Sequence, residues 1–398
     1  MRAFAFVFGL SMLASGAIAQ PKLIVRLVDG TNPGAVSSTY GLKFTDRTES
    51  APFALYTVPV GMDPHLAQTL LQGDARVVWA EDDMSLTMPE HAGGGKGGTI
   101  AAIGGRDALY AENTGLLTQI SWNSTTANTP GREMKVAVLD TGLSYRHPTL
   151  WTQVVAAVNF VETRQNPSDW PRNTSTSGNA TADDAVGHGT MVAGLINQIS
   201  PLSKLIIVRV ADSDGVSSAW RLVKGLAYAV QHGASVANIS LGSIDGIPAL
   251  NDTLDWAAEE KNLVVVAAIG NNSQSSALEP SDSSKVICVS GIDSRNLKAS
   301  FSNWDSSADV SAPAVGVKSF WYTGQLGIWS GTSFAAPLVA GAVADGLRLR
   351  QSTPSASSVR LAAKSTGDGL IDSLNPDYRG KLGRRLNVRR LIERVGTL

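Results

Sequence analysis

The chain has a single cysteine in 398 residues. An intrachain disulfide is therefore excluded, and Cys288 sits in VICVS, a buried-strand pattern in which a lone thiol packs as a small apolar group. Charge of one sign is missing as well. Against 33 Lys and Arg stand 34 Asp and Glu, a formal net charge of −1, so no global field recruits nucleic acid or an acidic surface. The locally basic end (Arg384, Arg385, Arg389, Arg390, Arg394) is interleaved with Leu386, Val388, Leu391, Ile392 and Val395 at helical spacing. That pattern predicts a docked terminal helix with a solvated basic face, not a nucleic-acid arm. After the first twenty residues no apolar run is long enough to span a bilayer, so no membrane partner is expected. Histidine is scarce, with five in all, which makes the setting of each one informative.

What is present begins with MRAFAFVFGLSMLASGAIAQ. Arg2, an apolar core to about Leu13 and the small residues Ala17 and Ala19 read as a signal peptide over 1–19, which implies a secreted or periplasmic protein. Hydrophobic residues at 43% with 17% charged fit a globular chain with a sizeable core, and the length allows one large domain and one small. PKLIVRLVDG, APFALYTVPV and ARVVWAEDDMSLTM read as strands, NPGAVSSTYGLKF as a short helix and turn, and DPHLAQTLLQGD as a helix. Together they predict a small α+β unit over 20–90. HAGGGKGG opens a glycine-rich, cleavable linker over 91–105. The larger unit, 106–398, alternates apolar runs (KVAVLD, KLIIVRV, ASVANIS, NLVVVAA, KVICVS) with amphipathic helical stretches. This alternation predicts an α/β fold, a mainly parallel sheet sandwiched between helices, with its reactive site beyond the carboxyl ends of the strands. The polar stretch 162–184 reads as a long surface loop.

Three groups in that unit invite chemistry. GTSFAAPLVAG encloses Ser333 between a tight turn and small apolar residues; taken alone, this is equally a helix start capped by Ser or Thr. Asp140 ends KVAVLD and precedes Thr141-Gly142, a pattern that also opens aspartic proteases. Those need a second carboxylate, and no second Asp-Thr/Ser-Gly occurs. His188, in GHGTMVAGLI, has a glycine on each side. A serine becomes nucleophilic beside a base, and the base needs an orienting carboxylate. Asn271, in VVVAAIGNN, adds an amide able to point into the same cleft as an oxyanion donor.

In order and in residue type, KVAVLDTGL, GHGTMVAGLI, NISLGS, VVVAAIGNN and GTSFAAPLVAG resemble the subtilisin-like serine proteases. The related sedolisins share Gly-Thr-Ser but use Glu where this chain has His188. The resemblance implies a catalytic triad of Asp140, His188 and Ser333, an oxyanion hole of Asn271 and Ser333, and a substrate-pairing segment at Ser240-Leu241-Gly242. It further implies that 20–90 is an inhibitory, ferredoxin-like propeptide, removed by self-processing, and that polypeptides are the substrates of a monomeric enzyme. No cofactor is implied. A structural calcium is possible in the family, but GLINQISPLSKLIIVRV is too short for the loop of the usual tight site, so no metal ligands are assigned. If Pro280 matches the family's often cis proline, Leu278 stands where a tiny residue usually lines the primary specificity pocket, which would favour small side chains. Two rival expectations share these residues: a silent or self-inhibited subtilisin fold acting as a binding protein, and the same triad working on esters.

Overall fold

KLIVRL and FALYT alternate or run apolar for five or six residues, enough for buried strands and too short for helices. They lie at the centre of the smaller of two units in this computed structural model, which describes residues 20–88, 98–100, 106–162, 166–170, 184–350 and 352–398. The expected leader 1–19, most of the linker 91–105 and most of the stretch 162–184 lie outside the described residues. The smaller unit comprises residues up to Asp46 together with Ala54–Asp82. Its elements are β1 (Lys22–Leu27), α1 (Pro33–Tyr40), β2 (Lys43–Arg47), β3 (Phe53–Thr57), α2 (Pro64–Gln72) and β4 (Val77–Asp82). They form a four-stranded sheet in the order β2-β3-β1-β4, the β-α-β-β-α-β arrangement. Asn32 and Asp63 cap the two helices by accepting from the N–H groups of Gly34 and His65. Two boundaries differ from expectation. LKFTDR is not a turn but contributes β2, an edge strand exposed along most of its length, which therefore carries no apolar alternation. ARVVWAEDDMSLTM is not one strand but two, because Asp83 and Met84 interrupt it.

The larger unit, Arg47–Phe53 with Asp83–Leu398, holds the sheet that positions the site. Its main elements are β5 (Ser85–Thr87), β6 (Lys135–Asp140), β7 (Val154–Asn159), α3 (His188–Ile199), β8 (Lys204–Arg209), β9 (Val216–Ser218), α4 (Ala219–Gln231) and β10 (Val236–Ile239). They continue with α5 (Pro248–Asp255), β11 (Val264–Ala268), β12 (Val286–Ile292), β13 (Val310–Pro313), α6 (Thr332–Arg348), β14 (Arg384–Arg385) and α7 (Val388–Thr397). Eight strands pair in the order β14-β13-β12-β11-β10-β6-β8-β7. Every pairing in this sheet is parallel. β10, β11 and β12 are buried at every residue, as the centre of a sheet covered on both faces must be. The terminal helix α7 buries Val388, Leu391, Ile392 and Val395 and leaves Arg389, Arg390 and Arg394 exposed. Among the described residues no helix is long and apolar enough to cross a membrane.

Candidate active site

The carboxyl ends of β6, β10 and β11 deliver Asp140, the Ser240-Leu241-Gly242 segment and the Gly270-Asn271 turn. α3 and α6 bring His188 and Ser333 in their first turns. Asp140 is buried, and its Oδ1 accepts from the Thr141 N–H at 2.7 Å and from His188 Nδ1 at 2.8 Å. A carboxylate can only accept, so Nδ1 carries the hydrogen of this contact, and Nε2 is the nitrogen left to serve as a base when the ring is neutral. The flanking glycines are required by the space. Gly187 turns at φ 92, and a Cβ on Gly189 would lie 2.4 Å from the Gly142 carbonyl oxygen. The imidazole is fully buried, with the rings of Phe334 and Trp329 at 5.0 and 5.5 Å between centroids.

Ser333 does not cap its helix. Gly331 occupies the cap position and no side chain bonds there, so the hydroxyl is not spent on the helix start. Ser333 Oγ lies 3.5 Å from the Ser240 carbonyl oxygen, a long contact, while the Ser333 carbonyl accepts from Ser240 Oγ at 3.1 Å. Asn271 is held by its oxygen, because Oδ1 accepts from both the N–H and the hydroxyl of Thr332 at 2.9 Å. An N–H faces only an acceptor, so the amide NH2 is turned to the opposite side.

The edges at Gly242 and β9 hold an extended chain. β5 pairs antiparallel with β9, and Thr87 exchanges both backbone hydrogen bonds with Gly242, at 3.1 and 3.3 Å. The Met88 N–H adds a bond of 3.0 Å to Gly215 O. Leu278 packs against the backbone at both Gly242 and Gly270. A Cβ on Gly242 would meet Leu278 Cβ at 2.9 Å, and one on Gly270 would meet Leu278 Cγ at 2.7 Å. The Glu279-Pro280 peptide is cis.

Sequence reading missed Asp169 and Arg209. Asp169 falls within the stretch expected as a surface loop, yet it is 1% exposed and hydrogen-bonded to the segments that carry Asp140 and His188. Arg209 left a signal, a cation inside the apolar run KLIIVRV. It is fully buried and donates through Nη1 to Thr141 O and Ser168 O. α3 passes to β8 through Ser200–Ser203, where Ser200 and Ser203 share a hydrogen bond and Ser200 donates to Asp345. That connection has no array of carboxylates for a hard cation. Among the described residues no group of three His, Cys, Asp or Glu is placed to hold a metal.

The Subtilase family (Peptidase_S8) matches residues 131–370, more than half of the chain. The chain is similar to thermitase of Thermoactinomyces vulgaris, 34% identical over 248 residues that cover 60% of this chain and 82% of thermitase. A thermophilic serine proteinase of Bacillus sp. (strain AK1) is 35% identical over 228 residues, 57% of this chain but only 54% of that protein. Among solved structures, fervidolysin from Fervidobacterium pennivorans, a keratinolytic enzyme related to subtilisin, shares the fold. Its TM-score is 0.72 at 19% identity, covering 96% of this chain and 62% of that one. A cold adapted subtilisin-like serine proteinase aligns with a TM-score of 0.56 at 27% identity, over 66% of this chain and 91% of its own. This chain belongs to the subtilase family, and its larger unit has the subtilisin-like α/β fold.

Proposed function

We propose that the chain is a secreted serine endopeptidase that matures by cutting its own N-terminal segment. The observation that carries the reading is the buried 2.8 Å contact between Asp140 Oδ1 and His188 Nδ1, with the Ser333 hydroxyl not engaged in capping the helix where it stands. In this reading Ser333 Oγ attacks the peptide carbonyl carbon while His188 Nε2 takes the hydroxyl proton. Asp140 holds the ring and stabilises the imidazolium. The oxyanion accepts from Asn271 Nδ2 and the Ser333 N–H, a first-turn amide that helix geometry leaves unpaired. Collapse breaks the C–N bond, His188 returns the proton to the departing amine, and water then hydrolyses the Ser333 ester by the same route reversed. No cofactor enters any step.

The strand Ser85–Thr87, seated between β9 and Gly242, supports Ser240-Leu241-Gly242 as the edge that takes an extended polypeptide. It also supports 20–90 as an intramolecular inhibitor whose end occupies that edge until it is removed. Leu278, packed against Gly242 and Gly270, supports a preference for small side chains before the cut.

The test is expression of the wild type beside Ser333→Ala, with intact mass and N-terminal sequencing. Loss of an N-terminal segment ending near the glycine linker in the wild type alone is the expected result. Full-length chains in both, with no cleavage of added peptides by the wild type, would overturn it.

A further inference from the structure

One carboxylate ties together the two segments that carry Asp140 and His188. Asp169 Oδ1 accepts from Thr141 Oγ1 at 3.1 Å and from the Gly187 N–H at 2.9 Å. Its Oδ2 accepts from the Thr190 N–H at 3.0 Å and the Thr190 hydroxyl at 2.7 Å. Thr141 is the neighbour of Asp140, and Gly187 and Thr190 bracket His188. Two further bonds close the frame. Thr141 Oγ1 accepts from the Gly189 N–H at 2.9 Å, and Thr190 Oγ1 accepts from the Ser144 N–H at 2.9 Å.

The sheet braces the same frame from the other side. Arg209 stands beside Asp140 in the register of β6 with β8. Its Nη1 donates to Thr141 O and, at 3.0 Å, to Ser168 O, so it grips the backbone on both sides of the Asp169–Thr141 bond. The four groups facing Asp169 offer it donors, which favour the anion that burial disfavours. Burial pushes its pKa up, and the bonds from Gly187 and Thr190 together with the Arg209 charge oppose that rise.

An ordinary helix cap would bond only the free amides of α3. It would have no call on the hydroxyl of Thr141, which belongs to the other strand's turn, nor on a buried guanidinium behind it. We propose that Asp169, braced by Arg209, is a positioning residue that sets the distance and angle of the Asp140–His188 pair. The inference rests on the reading of that pair as catalytic.

Asp169→Asn tests it. The asparagine has one oxygen, and its NH2 must face an N–H donor of Gly187 or Thr190, so the frame cannot be rebuilt with the same geometry. The measurements are kcat and KM on a peptide substrate, normalised by active-site titration. Alongside them, proton NMR follows the His188 Nδ1–H resonance in a Ser333→Ala background. Expected are a fall in kcat of about 10- to 100-fold with KM within about twofold, and a shifted or broadened Nδ1–H signal. Unchanged kcat per active site with an unchanged resonance, whatever the loss in thermal stability, would reduce Asp169 to a cap and overturn the proposal. If Asp169→Asn does not fold, Thr190→Val removes one arm of the frame and keeps the carboxylate. A drop in kcat of about 5- to 10-fold supports the proposal, and no drop overturns it. If the wild type cleaves nothing, the peptidase reading fails by itself. The NMR arm then still reports whether Asp169 sets the pair.

Discussion

Ser240 Oγ donates to the Ser333 carbonyl oxygen at 3.1 Å, filling the place of the helical hydrogen bond that Pro337 cannot give. In an α-helix the N–H of residue 337 would bond to the carbonyl of 333. Proline has no N–H, so that carbonyl is released, and the segment following β10 supplies the hydroxyl. Asn238 Nδ2 in turn donates to Ser240 Oγ at 3.0 Å. The segment proposed to pair with substrate therefore also fastens the turn that carries the proposed nucleophile.

Ser240→Ala should separate these tasks, since the backbone edge survives and only the clamp is lost. A buried carbonyl without its donor costs about 1–3 kcal/mol. At this size each kcal/mol lowers Tm by about 2–4 °C, read by thermal unfolding in a Ser333→Ala background. The expected kinetic effect is a several-fold lower kcat with KM little changed. An unaltered melting curve would show that the clamp contributes nothing.

Leu278→Ala should widen the slot between Gly242 and Gly270. The wild type is expected to cleave after Gly, Ala or Ser in a peptide library. The variant should raise kcat/KM for Phe or Leu at that position by more than about 10-fold relative to Ala, in line with the value of filling an apolar pocket. Loss of the buried side chain costs up to about 2–5 kcal/mol, so the profile is best taken well below Tm. A wild-type profile dominated by large aromatics would refute the assignment.

Glu279, 3% exposed and next to Leu278 in the chain, is predicted to make stability fall as pH rises from about 4.5 to about 7. Burial, helped by Asp282, pushes its pKa from 4.5 to about 7, against the bonds it accepts from the Ile247 N–H and Asn251 Nδ2. A raised pKa means the fold holds the proton more tightly than the unfolded chain. The contribution is fully present below about pH 4.5 and lost as pH passes about 7, an upper bound of roughly 3 kcal/mol. Asp345, pushed up to about 6 by burial despite its Arg348 partner, adds in the same direction. Glu279→Gln should flatten the loss between pH 5 and 7 in thermal unfolding; a curve parallel to wild type would contradict the assignment.

Much of the larger unit is legible because its central strands are mostly apolar and buried almost throughout. KVAVLD, SVANI and LVVVAA need no partner to be recognised, since covering both faces of a sheet favours short runs dominated by apolar residues. β2 and β14 escaped notice for the converse reason. One is an edge whose residues mostly face solvent, and the other is two residues long and exists only by pairing with β13. Ser85–Thr87 is likewise a strand only because β9 and Gly242 border it. In the sequence Asp169 reads as loop, because a lone acid among Asn, Pro and Ser carries no periodicity. Its role comes from four donors contributed by Thr141, Gly187 and Thr190.

By itself the sequence determined which reactive groups exist and on what kind of local structure each stands: an acid at a strand's end, a histidine between glycines, a serine at a helix start. Those are short-range matters of apolar pattern, glycine's conformational freedom and the missing N–H of proline. Only the tertiary structure decided which of them meet. That His188 reaches Asp140 at 2.8 Å, that Ser240 replaces the bond lost at Pro337, and that Asp169 frames the pair all depend on positions fixed to fractions of an ångström. Hydrogen bonds fall off steeply with distance and angle. Packing across the whole sheet sets those distances, and no local stretch of residues contains them.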